Sequence, residues 1–339
     1  MQAHAIFPTA PLAAGLYESY FLRAVSPEEP VGVWIRYTVH KRPGRLPQGS
    51  LWCTVFDARM GRPFMHKLTS DALAAPAGGW IEVDGARIGP EGAYGSCGPA
   101  SWSLDFSAAE ADLEHLPWSW LYRMPLPRTK PTSPLPALRL QGTVELAQGR
   151  TIELDGWRGM VGHNWGSEHA ERWIWLAGVG FEQAPEAWLD VALARVRVAG
   201  VMTPWIANGV LSLDGRRHRL GGLGARGLSV EESAGGAVMR LPGEQGMAVG
   251  VRVQVPAQAA AGWRYSDPCE GEPREHDVVN CSVATLTLSV ALQDAAAVRI
   301  LHTTHGGAYE LGMRERDHGV LIAPFGDGEQ AGVAARGPL

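Results

Sequence analysis

The sequence predicts an all-β protein built from two consecutive antiparallel barrels. Apolar and polar residues alternate with a period of two along most of the chain, and long stretches with helical period are nearly absent. Asp-Gly pairs at 84–85, 155–156 and 214–215 stand between apolar runs, where this dipeptide supplies the positive φ angles of tight hairpin turns. Neighbouring strands are therefore expected to pair as meanders, and closure into barrels would leave no free sheet edge.

The predicted strands follow from this alternation in chain order. They are expected at 32–40, 50–60, 80–88, 101–107, 136–156, 187–198, 209–220, 278–290 and 298–307. Between them, residues 125–136 carry five prolines, which lack the N–H that a sheet interior requires. This composition predicts an exposed strap. The domain boundary lies either at this strap or at Gly162–Gly166. The later position is favoured, because the strands after the strap can still close the first barrel, and it gives a first barrel over 1–165, strap included, and a second over 166–339.

Composition restricts the class of function. The 339 residues are 45% hydrophobic and 19% charged, with a net charge of −5 and no Lys/Arg run, which excludes a nucleic-acid surface. No apolar run has the length of a membrane span and the first residues do not resemble a signal peptide, so a cytoplasmic protein with four reduced cysteines is expected. Contact with a membrane surface and the oligomeric state are left open. The 13 tryptophans indicate either a large apolar cavity or a thick core.

The stretch GHNWGSEHAERWIWL (162–176) concentrates unusual residues near the middle of the chain. His163, Asn164 and Trp165 lie between glycines, and the polar pair needs buried partners. The pair either pins the crossing between the barrels or faces a ligand at a cavity mouth. Trp173 and Trp175 share one face of the following strand and are predicted to line that cavity.

Residues 187–198 place an acidic group on an aromatic face. Trp188 and Asp190 share a face with small residues, as pocket-lining positions do. Burial would raise the pKa of Asp190, so that it stays protonated and acts as a general acid. The alternative is a structural Asp190 paired with an arginine or with backbone amides.

Near the start, Glu18 in YESYFLR and Arg36 in VWIRYT are candidates for a buried ion pair beside Trp34, if their strands pair. No metal site is predicted. His302 and His305 fall on opposite faces of a strand, and His163 and His169 have no companion cysteine or carboxylate at a recognised metal-ligand spacing. Motifs of serine hydrolases, P-loop NTPases and dinucleotide-binding domains are missing from the sequence.

The HNWG motif (163–166) followed by Trp-x-Trp resembles the lipocalin-like proteins that include carotenoid 1,2-hydratase (hydroxyneurosporene synthase), the AttH-type proteins and, more distantly, tocopherol cyclase and fungal Diels–Alderases. Residues 17–23 with 33–38, and IELDGWRG (152–159), extend the resemblance. It implies two lipocalin-like barrels that hold a hydrophobic ligand without a metal or redox cofactor. Gly162 stands before His163, where the hydratases have an acidic residue close by, so the general acid is not transferred.

Three functions remain open at this stage. A hydratase or cyclase would protonate a polyene, prenyl chain or polyketide with Asp190, let the tryptophans stabilise the cation, and use His163 to position or deprotonate the nucleophile. Glu18, Trp34, Arg36, Asn164, Trp165, Trp173, Trp175 and Trp188 would line its ligand site. A carrier would only hold the lipophilic molecule, and a pericyclase would fold it by shape alone.

Overall fold

The computed structural model describes residues 3–271, 274–292 and 297–323. The last part of the predicted second domain, 324–339, lies outside the described residues. In the part that is described, no helix is long and apolar enough to cross a membrane. The helical segments there are short 3₁₀ turns at Phe7–Thr9, Ser119–Arg123, Ala147–Gly149, Glu244–Gly246 and Ala257–Ala259. The all-β prediction is confirmed.

A 12-stranded antiparallel sheet forms the first barrel. Its strands are β1 (Leu16–Val25), β2 (Val31–Lys41), β3 (Gln48–Asp57), β4 (Phe64–Ser70), β5 (Leu73–Ala74), β6 (Ile81–Val83), β7 (Ala86–Ile88), β8 (Gly92–Cys97), β9 (Ala100–Ala108), β10 (Leu113–Glu114), β11 (Thr129–Leu146) and β12 (Arg150–Gly166). The order is β4-β3-β2-β1-β12-β11-β9-β8-β7-β6-β5, with β10 beside β11. The sheet curls until β4 meets β8 and β3 meets β6, so the barrel is nearly closed.

The second barrel contains a 10-stranded sheet. In chain order the remaining strands are β13 (Arg172–Gly178), β14 (Trp188–Arg195), β15 (Arg197–Val198), β16 (Val201–Met202), β17 (Ile206–Leu213), β18 (Arg216–Gly221), β19 (Ser229–Ser233), β20 (Gly236–Pro242), β21 (Ala248–Gln254), β22 (Ala261–Ser266), β23 (Glu275–Ala291) and β24 (Arg299–Met313). The order is β18-β17-β14-β13-β24-β23-β21-β20-β19, with β22 beside β23 and β15 paired separately with β16. A bridge between Leu220 and Gly243 joins the two sides of this sheet.

Because side chains alternate along a strand, the two faces of β1 and β2 pack into two different cores. In β1 and β2, Tyr20, Leu22 and Ile35 belong to the core of the first barrel, whereas Trp34 belongs to the core formed with the second. Every residue of β2 is buried, because its outer face packs against β23. One sheet therefore contributes both to a barrel interior and to a layer between the barrels.

Two of the three predicted Asp-Gly turns are confirmed. Asp84-Gly85 and Asp214-Gly215 have positive φ at both residues and connect β6 to β7 and β17 to β18. Asp155-Gly156 instead lies inside β12, where two residues stand opposite one residue of β11. Gly156, with φ of 63°, allows this bulge, and the strand continues instead of turning.

The proline-rich segment is a strand from Thr129 onward, so the predicted strap is wrong for residues 129–136. Two irregularities in the pairing with β12 lie around Pro134 and Pro136, which have no N–H to donate. Along residues 129–136, the edge of β11 that faces away from β12 pairs, within the described residues, only with the two residues of β10. Prolines are tolerated in such a poorly paired edge, which a composition argument alone does not reveal.

Candidate functional site

Aromatic side chains from both barrels meet in a layer between them. Trp34 and Trp52, on the outer face of the first barrel, contact Trp263 of β22 with ring centroids 6.4 and 4.9 Å apart. Trp52 also meets the ring of Tyr265 edge-on at 5.8 Å. We call the surfaces that the barrels turn toward each other here the inter-barrel layer.

Arg36 lies in this layer and not beside Glu18. Although β1 and β2 pair, Arg36 stands opposite Phe21 and Glu18 stands opposite Val39, which places the two side chains on opposite faces of the sheet. The predicted ion pair is therefore wrong. The Arg36 guanidinium lies 3.9 Å from the ring centre of Tyr265, and its Nε donates to Ser19 Oγ at 2.8 Å.

Glu18 and His163 meet inside the first barrel. His163 Nε2 lies 2.9 Å from Glu18 Oε1, and the amides of Ile6 and Phe7 donate to the same carboxylate. The imidazole stacks on Tyr20 with centroids 3.9 Å apart, and burial lowers its pKa although Glu18 opposes this. These contacts tie the N-terminal segment to the barrel interior.

The two neighbours of His163 in the central motif have different surroundings. Trp165 stacks near His163 at 4.6 Å and packs against the first core. Asn164 is partly buried, stands opposite Ser19 and lies on the other face of β12. His163 and Asn164 therefore do not face one ligand together.

Asp190 is buried and has three polar partners. Trp175 Nε1 donates to its Oδ1 at 3.0 Å, Ser133 Oγ donates to its Oδ2 at 2.5 Å, and His115 Nε2 lies 3.3 Å from Oδ2. Burial alone raises the pKa of Asp190, but His115 and the two hydrogen bonds lower it overall. The predicted rise is wrong, because the fold supplies a histidine from just after β10.

The pKa of His115 shifts in the opposite direction, upward. Burial by itself lowers its pKa, yet attraction to Asp190 and the hydrogen bonds raise it overall. A buried ion pair thus connects the first barrel, through His115, with β14 of the second. The sequence left open that Asp190 is a structural residue paired with an arginine. The structure gives such a pair, but the partner is a histidine.

A second carboxylate, Glu310 of β24, lies within the inter-barrel layer. Its oxygens accept hydrogen bonds from Trp173 Nε1 at 2.9 Å, Asn280 Nδ2 at 3.0 Å and the Tyr265 hydroxyl at 3.2 Å. Trp173 is therefore held in the layer, and its role in lining a ligand cavity stays a prediction. Trp175, on the same face, packs edge-on against Phe21 at 5.0 Å.

The fold also assembles a triad that sequence spacing missed. Asp267 accepts from His169 Nδ1 at 2.8 Å and lies 3.2 Å from His276 Nε2. Interactions with both histidines lower the pKa of Asp267 although burial opposes this, whereas burial lowers the pKa of His169. About one hundred residues separate His169 from its partners, so no local motif signals the triad. The only available signal was His169 itself within the central stretch.

Polar atoms without a partner gather on the same surfaces. Within the described residues, these buried side-chain atoms make no hydrogen bond to protein, although buried polar groups in native proteins are nearly always paired. The atoms on these surfaces belong to Arg23, Thr54, His169, Trp263, His276, Asn280 and Ser282, whereas the Tyr20 hydroxyl and Trp188 Nε1 are buried without a partner elsewhere. Each such atom costs about 1–3 kcal/mol when it stays unpaired, so the layer is suited to a polar or partly polar guest.

Trp188 lines a separate cleft of about 450 Å³ along the seam between the barrels. Its ring lies 5.2 Å from the Arg217 guanidinium. Charged residues on the wall already pair, since Arg139 and Arg158 both bond to Glu186 at 2.9 and 2.8 Å.

None of the known protein-family models matches the chain. Two uncharacterized proteins of Mycobacterium tuberculosis, MT0513 from strain CDC 1551 and Rv0493c from strain H37Rv, are each 25% identical over 271 residues, which cover 76% of this chain and 76% of each relative. These relatives carry no functional description.

Solved structures resemble it over most of its length. CghA in complex with Sch210972 has a TM-score of 0.54 at 12% identity, covering 88% of both chains. The AttH-like protein NE1406 from Nitrosomonas europaea has a TM-score of 0.52 at 13% identity, covering 90% of this chain and 94% of that one. Kievitone hydratase from Nectria haematococca has a TM-score of 0.52 at 10% identity, covering 91% and 93%. At such low identity the likeness concerns the fold. This chain therefore shares the lipocalin-like, all-β fold of these three proteins, as the sequence resemblance implied.

Proposed function

We propose that this protein binds a hydrophobic small molecule with one or more polar groups, such as a polyene, prenyl chain or polyketide, in the inter-barrel layer. The observation that carries this proposal is the gathering of unpartnered polar atoms among large aromatic rings. An apolar skeleton would contact the rings, and its hydroxyl or carbonyl groups would satisfy atoms such as Trp263 Nε1 and Asn280 Oδ1.

We further propose that the bound molecule undergoes proton-transfer chemistry, either hydration or cyclisation. Glu310 is the group that we assign to it, because a carboxyl group has about four hydrogen-bonding sites and the three neutral donors leave one for a proton. Glu310 would protonate an alkene, and nearby rings would stabilise the cation by about 0.5–2 kcal/mol each. Water adding to the cation would return a proton to the carboxylate. Among the structural neighbours, the name of kievitone hydratase supports this reaction class.

The earlier catalytic candidates take positioning roles in this proposal. Asp190 holds Trp175, whose indole N–H it accepts, and Trp175 lies beside Trp173 on the same face. His163 and Glu18 hold the N-terminal segment from inside the first barrel. An enzyme would convert the bound molecule into a product, whereas a carrier would release it unchanged. A molecule that stays bound and unchanged would therefore favour the carrier.

Ligand binding to the layer is tested with Trp263→Phe, which removes one unpartnered N–H and little volume. We expect it to weaken binding of the preferred member of a panel of prenyl alcohols, carotenoids and polyketides by about 2- to 10-fold, the loss of one hydrogen bond. Binding is measured by quenching of tryptophan fluorescence and by equilibrium dialysis.

Trp188→Phe is the matched control, because Trp188 Nε1 is also buried and unpartnered but belongs to the seam cleft. We expect its affinity to equal that of the unmodified protein. If Trp188→Phe weakens binding and Trp263→Phe does not, the ligand lies in the seam cleft and the proposed site is refuted.

A membrane is the proposed source of the ligand. The segment around Ser119–Arg123 exposes Trp118 and Trp120, whose rings stack at 5.8 Å, together with Met124 and Leu126. Exposed tryptophans prefer the membrane interface, and Arg123 would favour anionic lipid.

We expect the full chain to float with phosphatidylglycerol-containing liposomes. The Trp118→Ser/Trp120→Ser variant should lose flotation, and Met60→Ser, which alters an exposed residue elsewhere, should keep it. Equal flotation of all three would contradict the proposal.

A further inference from the structure

We propose that His169, Asp267 and His276 bind one divalent transition-metal ion, with zinc as the preferred class, at the edge of the inter-barrel layer. Binding of the metal ion does not require the organic ligand to be present. It contradicts the expectation from sequence that the protein has no metal site.

The separations of the donor atoms fit a metal. One atom from each residue can be chosen so that all three lie within 4.8 Å of one another. The closest pairs are His169 Nδ1 with Asp267 Oδ1 at 2.8 Å and His276 Nε2 with Asp267 Oδ2 at 3.2 Å. Ligands about 2.1 Å from a tetrahedral ion are about 3.4 Å apart, so small side-chain rotations suffice to enclose one.

The donor types agree with this assignment. Two imidazoles and one carboxylate are a common ligand set for zinc and for ferrous iron, and they leave at least one coordination position open. The site is also buried, since Asp267 and His276 are each 2% exposed, so a bound ion would exchange little with bulk water. Glu310 adds a second carboxylate through its contact with Tyr265, whose ring also packs near His169 at 5.9 Å.

The three residues are held in place before any ion binds. Asp267 Oδ1 also accepts the backbone N–H of His169 at 2.8 Å, and the Asp267 amide donates to the Arg274 carbonyl at 2.8 Å. His169 stacks on Tyr17 with centroids 4.0 Å apart, and His276 lies on the long strand β23. Side chains that are already ordered lose little conformational entropy when a metal ion binds to them.

Two imidazole nitrogens provide a further sign of a missing group. His169 Nε2 and His276 Nδ1 are buried and have no protein partner among the residues described. When the other ring nitrogen binds a metal, these atoms carry hydrogen and donate, as metal-bound histidines usually do, to water or to an oxygen of a bound molecule. The open coordination position would take the same class of oxygen ligand.

Metal binding is tested on the full chain after dialysis against EDTA, without any organic ligand. Titration with Co²⁺ is followed by visible absorption, Zn²⁺ is then added in competition, and Zn²⁺ binding is measured by calorimetry. We expect one ion per chain with micromolar or tighter affinity. His276→Gln and Asp267→Asn should weaken binding at least about 10-fold, within the range for loss of a ligand or its support. His218→Gln, which changes a histidine on β18, should leave the affinity unchanged.

A spectroscopic arm separates coordination from a structural effect. With Cu²⁺, pulsed electron paramagnetic resonance should detect two imidazole ligands in the unmodified protein and one in His276→Gln. Binding no tighter in the unmodified protein than in both ligand variants, or a Cu²⁺ signal without imidazole, would overturn the proposal and leave a hydrogen-bonded triad. Because no organic ligand is present, that result would leave the proposed small-molecule site standing.

Discussion

Asp190→Ala lowers the free energy of unfolding by about 3–5 kcal/mol, the usual cost of leaving one member of a buried ion pair without its partner. His115 and Asp190 are 3% and 1% exposed, so water cannot replace the missing carboxylate. Trp175 and Ser133 also lose an acceptor. Chemical denaturation followed by tryptophan fluorescence measures the change.

The stabilisation by the His115–Asp190 pair is lost at both low and high pH. The lowered pKa of Asp190 gives stability above the unfolded carboxyl pKa of about 3.9, and this is lost as the pH falls. The raised pKa of His115 gives stability below the unfolded imidazole pKa of about 6.5, and this is lost as the pH rises through the folded value. The stability difference between the unmodified protein and His115→Gln/Asp190→Asn should therefore be largest between about pH 4 and 6.5. A difference that rises steadily up to pH 9 would contradict an ionised pair.

Glu310→Gln is expected to lower turnover by about 10²- to 10⁴-fold, the range for a general acid-base group, while ligand affinity stays within a few-fold. Glutamine keeps the size of the side chain and one acceptor oxygen, which can still accept the hydrogen bond from Trp173 Nε1. Its NH2 group replaces the oxygen that accepts from Asn280, and the amide cannot give up and recover a proton as a carboxyl group does. The reaction is followed in D2O with the panel of prenyl alcohols, carotenoids and polyketides. Mass spectrometry then detects deuterium bound to carbon in a new product.

Glu82→Gln, which changes a partly buried glutamate on β6 of the first barrel, is the control and should retain full turnover. A Glu310→Gln protein that incorporates deuterium as fast as the unmodified protein would exclude Glu310 as the proton-transfer group. If the unmodified protein forms no product but retains a molecule unchanged, the function is that of a carrier.

The arrangement of the barrels explains why the sequence predicted the surroundings of some side chains and not those of others. Trp173 was assigned to a cavity wall from alternation, and its side chain lies in the inter-barrel layer beside Glu310. Arg36 was assigned from the same parity argument but with the wrong partner. Parity states which residues share a face, and it does not state which face the second barrel will cover.

By itself the sequence determined the local properties of this protein: the all-β class, the two Asp-Gly hairpins and the resemblance carried by HNWG. Each depends on neighbouring residues, through side-chain alternation or the φ angles of a dipeptide. Only the tertiary structure decided the pairing of Asp190 with His115, the joining of His169 to Asp267 and His276, and the strand at the proline-rich segment. These features depend on strand register and on the packing of one barrel against the other, which bring together residues far apart in the chain. A carboxylate's pKa follows from those partners, so its direction was not available from the pattern of a single strand.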